Sequence, residues 1–248
     1  MRKSFPFFVF LFLFSATSIY SQNFEFECKI IDTSTYWQLT PDIVFFEPST
    51  IFLTWTDYFF PTDYRIFCAK SDNGGVSFLP KVEPEPLSAT KMFSSIDVDG
   101  IGNPYLAWCD YKTGYLNVWF SKSNDGGGSF FPGVVVDSVD FSEFAPEIKV
   151  SYNGVRVFVA WITVFGDSLG TDSAKLFLSR SINGGGSFLP PQHIGGVSQN
   201  QQYYFSFDIS NGGDTVAFVW QDNSLASPRL FFTSSADYGV TFSPPSIV

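Results

Sequence analysis

Three aspartates each stand two residues after a tryptophan, in Trp55-Thr56-Asp57, Trp108-Cys109-Asp110 and Trp220-Gln221-Asp222. A fourth copy reads Trp161-Ile162-Thr163 and lacks the carboxylate. Carboxylates recurring at one position of a repeat can converge in space, and two of them flanking a bond are what acid–base hydrolysis needs. Tyr58 and Tyr111 directly follow two of the aspartates, and Tyr36, Trp37, Tyr115, Glu143, Tyr203 and Tyr204 lie in nearby connections. An acidic, aromatic rim of this kind stacks sugars or holds a cation. The plainer role for an aspartate at a strand end is to form the turn or to pair with Arg65 or Arg229.

Other reactive groups are scarce. His193 is the single histidine, so a Ser-His-Asp relay or a His-rich metal centre lacks its parts. The cysteines are Cys28, Cys68 and Cys109, with no CxxC spacing, and their odd number leaves at least one thiol unpaired or intermolecular. Cys68 and Cys109 fall within the apolar runs YRIFCAK and YLAWCDY, where a thiol serves as a small buried hydrophobe. The stretch Asp97–Asn103, DVDGIGN, opens like a calcium loop, but its fifth position is Ile101 and its twelfth is Trp108, where a bidentate glutamate belongs. It reads as a tight turn. Glycine runs precede no helical pattern, so no phosphate loop is present. The expectation is no metal and no cofactor.

Composition narrows the class. A formal net charge of −10 opposes binding to nucleic acid, whose phosphates need a basic surface. Aromatic residues make up 19% of the chain, which favours packed, pleated surfaces over disorder. The start, Met1-Arg2-Lys3 followed by the apolar run Phe5–Phe14 and the small residues of SATSIYSQ, has the form of a secretory signal. Cleavage near Ser18 or Ser21 makes residues 1–21 the leader. The run is short for a membrane span and no second one follows, so the expected place is extracellular, at the cell surface or, in a diderm bacterium, periplasmic.

The elements that must position the aspartates are written in a repeat. The octets SDNGGVSF, SNDGGGSF, SINGGGSF and SADYGVTF begin at residues 71, 123, 181 and 235, spacings of 52, 58 and 54. Before each lies a strand-like run (YRIFCAKS, LNVWFSKS, AKLFLSRS, PRLFFTSS), and before that one ending in tryptophan (IFLTW, PYLAW, VFVAW, VAFVW). A further run, in PDIVFF, FSSIDVD, PEIKVS and YFSFDIS, precedes those, and a less regular fourth follows the first three octets. Each period therefore predicts four strands. The tryptophan-ending run is continuously apolar, which predicts burial on both faces. A period near fifty in an all-β chain predicts propeller blades, at about 40–86, 92–139, 145–197 and 203–248. The octet falls in the hairpin between third and fourth strands, where Asp or Asn bonds turn amides and Gly takes positive φ.

The octets resemble the Asp-box, or BNR repeat, of sialidase-like β-propellers. The matching positions are Ser71, Asn73, Gly75 and Phe78; Ser123, Asp125, Gly127 and Phe130; Ser181, Asn183, Gly185 and Phe188; and Ser235, Asp237, Gly239 and Phe242. The first and third boxes depart by carrying Asn for Asp. The resemblance implies an all-β propeller of four-stranded antiparallel blades, with boxes that serve the fold and lie away from any pocket. It also implies, for a sialidase, three arginines on innermost strands, a tyrosine nucleophile with a glutamate, and an aspartate acid/base. Arg65, Arg156, Arg180 and Arg229 all fall outside the innermost runs, and no Arg-Ile-Pro stretch is present. The expectation is thus a secreted, non-catalytic binding or scaffold module for a glycan or an extracellular protein. The alternative is an exo-sialidase or other glycoside hydrolase with part of its site outside this chain. The run Phe26–Asp32 resembles a fourth strand without its blade. Either it completes the last blade and closes a four-bladed ring or, as the short stretch after Phe242 favours, the chain belongs to a longer, six-bladed propeller.

Overall fold

The computed structural model describes residues 31–86, 90–137, 139–166, 173–195, 201–223 and 227–248. The expected leader, Cys28 and most of the run Phe26–Asp32 lie outside them. The chain divides into Met1–Ser34 and Thr35–Val248, and everything below belongs to the second unit.

Four antiparallel sheets follow one another along the chain, each strand paired with its sequence neighbour. Sheet 1 holds β1 (Trp37–Phe46), β2 (Thr50–Phe59) and β3 (Asp63–Ser71). In place of a fourth strand it has a single bridge between Cys68 and Val82. Sheet 2 holds β4 (Lys91–Val98), β5 (Pro104–Asp110), β6 (Asn117–Lys122) and β7 (Val134–Val135). Sheet 3 holds β8 (Ser142–Val150), β9 (Val157–Phe165), β10 (Ser173–Ser181) and β11 (Gln192–Ile194). Sheet 4 holds β12 (Gln202–Ile209), β13 (Val216–Asp222), β14 (Arg229–Ser235) and β15 (Ser246–Ile247). No helix occurs among the described residues.

The core lies between sheets. Phe52, Ile66 and Cys68 of sheet 1 meet Ile96, Leu106 and Trp108 of sheet 2, and comparable clusters join sheet 2 to sheet 3 and sheet 3 to sheet 4. Trp108, Trp161 and Trp220 occupy one repeat position and are at most 1% exposed. The expectation that every tryptophan-ending strand is buried on both faces holds for β5 and for the first seven residues of β9. It fails for β13, where buried and half-buried residues alternate. Among the described residues sheet 4 has a neighbouring sheet on one face only, and alternation is the pattern of a half-buried strand.

Each octet builds the same hairpin. The Ser hydroxyl accepts the amide of the fifth residue at 2.9 Å in all four copies. It donates in turn to the third residue's Oδ1 at 2.6–2.9 Å. That Oδ1 also accepts the amide of Ser77, Ser129, Ser187 or Thr241. Asp and Asn are interchangeable here because the seventh-position hydroxyl reverses its role. It donates to Asp125 and Asp237 and accepts from Asn73 and Asn183. These bonds hold the Asp125 and Asp237 carboxyls far below the usual range. The closing Phe130, Phe188 and Phe242 are half-buried against the inter-sheet clusters, and Phe78 packs on the cluster of sheet 1.

The fifth position admits only glycine where a neighbouring sheet presses on it. Gly185 has φ +85°, and a Cβ there would stand 2.1 Å from Phe120 Cε1, in the sheet before. Gly74, at the fourth position and φ +67°, has open space around it. Gly185→Ala is expected to cost roughly 2–4 kcal/mol, strain and overpacking together. Gly74→Ala is expected to cost about 1–2 kcal/mol from backbone strain alone. Urea unfolding of both variants checks the difference, and equal losses would refute the inter-sheet packing of the hairpin.

Candidate functional site

The repeated aspartates are buried: Asp57 and Asp110 are 0% exposed and Asp222 is 2% exposed. This corrects the expectation of a solvent-facing rim. A carboxylate buried to this extent must be matched. Asp57 accepts the Trp55 indole N–H at 2.7 Å and pairs with Lys81 at 2.8 Å. Asp110 takes the amide of Lys112 and stands opposite Lys91, while Asp222 stands opposite Gln202. The break in the series is made good one strand over. Thr163 takes the Trp161 indole at 3.0 Å, and the residue opposite it is Glu143, also 0% exposed. Glu143 accepts the amide of Val118 in sheet 2 at 2.7 Å, as Gln202 accepts that of Leu176 in sheet 3 at 2.8 Å. Burial, with Asp137's charge adding, pushes the Glu143 carboxyl up to about 8.

The expected aromatic residues separate into three places. Tyr36, Trp37 and Tyr58 come together at one end of sheet 1. There the Trp37 ring lies 5.8 Å from that of Tyr58, and Tyr58 stacks on Tyr64 at 4.5 Å. Tyr36 packs 4.0 Å from Phe59. Tyr111 is exposed in the turn after β5. Tyr203 lies elsewhere again, with Tyr204, in a cavity of about 740 Å³ walled by the first strand of every sheet.

Sequence reasoning missed this cavity. Its walls come from Thr40–Val44, Phe93–Asp97, Phe144–Lys149 and Tyr203–Ser206, with Ile162 and Val164 behind. Each first strand breaks register at the same point, between Leu39 and Asp42, Met92 and Ser95, Phe144 and Glu147, and Tyr203 and Phe205. At each break one residue that is not glycine has positive φ: Thr40 at 47°, Phe93 at 60°, Ala145 at 49° and Tyr204 at 47°. Such bulges re-aim side chains and store strain of about 1–3 kcal/mol per residue. The side chains that follow them, Asp42, Ser95 and Glu147, each accept the amide of a residue in the next sheet: Ile96 at 3.0 Å, Ile148 at 3.4 Å and Phe207 at 3.3 Å. The signal in the sequence is the carboxylate shared by PDI and PEI at one repeat position.

The cavity is acidic, with Asp42, Asp97, Glu147 and Lys149 as its ionisable carboxylic and basic residues. Burial lifts Glu147 to about 7, with Asp42's charge adding and the Phe207 amide and Lys149 opposing. Burial likewise lifts Asp97 to about 6, against the amides of Val150 and Val98. None of the four arginines among the described residues lines the cavity. Arg65 pairs with Asp63 at 2.8 Å, Arg156 lies 3.6 Å over the Tyr238 ring, and Arg180 donates to the Tyr238 carbonyl. Arg229 stands opposite Asp222.

Remaining groups serve the structure. Asp99 accepts the amides of Ile101 and Asn103, which makes Asp97–Asn103 a turn. His193 shares a hydrogen bond with Gln202 at 3.0 Å, and no metal-binding group of three or more His, Cys, Asp or Glu occurs among the described residues. Cys68 and Cys109 are free and buried, and burial pushes the Cys68 thiol up to about 12.

No family profile and no curated protein sequence matches the chain. Solved structures do. A protein of unknown function from Dyadobacter fermentans superposes with a TM-score of 0.64 at 12% identity, over 88% of this chain and 71% of that one. An ulvan lyase, a polysaccharide lyase bound to GlcA(1-4)Rha3S, gives 0.64 at 11%, over 84% and 55%. A mutant of NanB sialidase from Streptococcus pneumoniae gives 0.62 at 10%, over 89% and 54%. At such identities the likeness is one of fold, and the chain spans little more than half the length of the latter two.

The raised carboxyls set a pH dependence. Glu147 moves from an ordinary value of 4.5 to about 7, so the folded chain holds a proton that the unfolded chain releases. Its contribution is most favourable below 4.5 and declines as pH rises towards 7. Glu147→Gln keeps the shape and removes the titration. The melting temperature of the variant minus that of the wild type should rise across that window, and a difference flat with pH would refute the burial of this carboxyl.

Proposed function

We propose that this protein is a secreted, sialidase-like β-propeller that binds a neutral saccharide in the cavity between its first strands. The four sheets are its blades, and the four octet hairpins, together with the likeness to a polysaccharide lyase and a sialidase, support that architecture. One observation carries the ligand reading: a cavity of about 740 Å³ combines aromatic walls (Phe93, Phe144, Tyr203, Tyr204) with a few convergent acceptors. That size and lining are those of small-molecule sites. Carboxylates accept sugar hydroxyls, and rings stack on the apolar faces of sugars. Three carboxyls against Lys149 disfavour a sulfated or carboxylated sugar, and the cavity lacks the arginine forks that would clamp one.

A second reading rests on the carboxyl pair. Asp42 and Glu147 feel each other across the cavity, and Glu147 holds its proton up to about 7. A carboxyl that keeps its proton, set beside a second carboxyl, is a pairing that glycoside hydrolysis uses.

Isothermal titration against a panel of neutral and acidic oligosaccharides tests the first reading. Tyr204→Ala is expected to weaken the best ligand about tenfold, the loss of one contact worth ~1.4 kcal/mol. Asp125→Ala, in an octet hairpin, should lower the melting temperature and leave affinity unchanged. Binding only of acidic sugars, or affinity insensitive to Tyr204, would overturn the assignment. Released reducing ends that vanish in Glu147→Gln would favour the hydrolase.

A further inference from the structure

The pair Asn-Gly is written at Asn73, Asn153, Asn183 and Asn211. In this pair a main-chain amide can reach the carboxamide carbon just before it, since glycine has no Cβ to hold the two apart. The fold treats the copies differently. At the first three, both reacting groups are tied down. The amides of Gly74, Gly154 and Gly184 donate to the carbonyls of Ser49, Ser151 and Val155 at 2.7–2.8 Å. The carboxamide oxygen of Asn73 accepts Ser71 Oγ and the Ser77 amide, and that of Asn183 accepts Ser181 Oγ and the Ser187 amide. That of Asn153 accepts Ser151 Oγ and the Val155 amide.

Asn211 is different. It lies in the turn between β12 and β13, exposed together with Gly212. Among the described residues, neither its carboxamide nor the Gly212 amide makes a hydrogen bond. The reason lies at the residue before. In the matching turn of sheet 2, Asp99 caps the amide of Ile101 at 3.1 Å. Ser210 stands in that place here, and its hydroxyl is taken by Asp214 and by the Thr215 amide. The exposure does not come from the lack of a following sheet. Ile101 matches Gly212 and Tyr152 matches Asn211, and they are 81% and 66% exposed although a further sheet packs after each of theirs.

We propose that Asn211 is the site at which this protein deamidates, and that the other three pairs stay intact while the chain is folded. The Gly212 nitrogen, losing its proton to hydroxide, attacks Asn211 Cγ. The new C–N bond closes a succinimide ring, and the side-chain nitrogen takes a proton from water and departs as ammonia. Water then opens the ring at either carbonyl. Opening at Cγ leaves aspartate. Opening at the former main-chain carbonyl leaves isoaspartate, with the chain running through Cβ and Cγ. Water is consumed, ammonia is released, and nothing is oxidised or reduced. The isoaspartate product touches the packing, because the Asn211 carbonyl that accepts the Tyr152 amide of sheet 3 at 2.8 Å becomes part of a free carboxylate. Asn211 and Gly212 lie outside the cavity walls, so the site stands apart from the proposed saccharide.

Peptide mapping by mass spectrometry, with the two acid products separated, tests this on the full chain held at mildly alkaline pH. In the folded protein Asn211 should convert about tenfold or more faster than Asn73, Asn153 and Asn183, whose reaction waits for local opening. In guanidinium chloride the four rates should converge. Gly212→Ala should slow the conversion severalfold. Gly212 does not take the positive φ of Gly213, and an added Cβ would meet Asp214 Oδ1 at 3.4 Å, an ordinary contact, so this variant should keep its melting temperature. Asn211 staying intact in the folded chain while it converts in denaturant would overturn the proposal. So would any of the other three converting as fast as Asn211 in the folded chain, or a folded Gly212→Ala variant converting at the wild-type rate.

Discussion

Everything in this molecule follows from sheets too apolar to stand alone. A strand such as β5, buried over its whole length, puts side chains into both faces of its sheet, and each face needs a partner about one sheet spacing away. Trp108, Trp161 and Trp220 are the largest pieces of that requirement, each pressed into the front of the preceding sheet. Stacking the sheets satisfies it, and stacking also dictates where polar groups can go. A carboxylate caught between sheets must find an amide, an indole or a lysine. Asp57 and Glu143 do so, and the Gln202 carboxamide accepts an amide of the neighbouring sheet in the same way, which turns what looks like reactive chemistry into structure.

The first strands answer a different demand. They meet where the sheets converge, and a bulge in each one turns the following side chain towards its neighbour. The result is a chain of side-chain-to-amide bonds, from Asp42 to Ile96, Ser95 to Ile148 and Glu147 to Phe207. The same oxygens line the cavity. The oxygens that tie the sheets together therefore also face the cavity, and burial among these neighbours is what raises the Glu147 carboxyl. The saccharide proposed for the cavity would meet bonds that already tie one sheet to the next.

The octet hairpins stand apart from this economy. Their bonds are local, between residues two and four apart, and they repeat in all four copies with Asp or Asn alike. Tyr238 shows how strongly the turn is imposed. It takes φ 64° where the other three copies have glycine, held by Arg156 over its ring and Arg180 on its carbonyl.

What the sequence determined by itself was everything local or periodic. The octets defined their turns because Ser, Asx and Gly bond within eight residues, and the tryptophan-ending runs marked the strands between which the core lies. The strand order within each sheet follows from short connections. Tertiary structure decided which face each residue meets. Asp57, Asp110 and Asp222 read as a rim because they recur at one position of the repeat, and only the packed fold buries them. Tyr36, Trp37 and Tyr58 come together while Tyr111 and Tyr203 do not, since convergence depends on how sheets are rotated against one another. The cavity carboxyls were visible as letters in PDI and PEI, but their role arises from bulges and from amides about fifty to sixty residues away. No spacing in the sequence encodes that distance, because it is set by packing between sheets rather than by bonding along the chain.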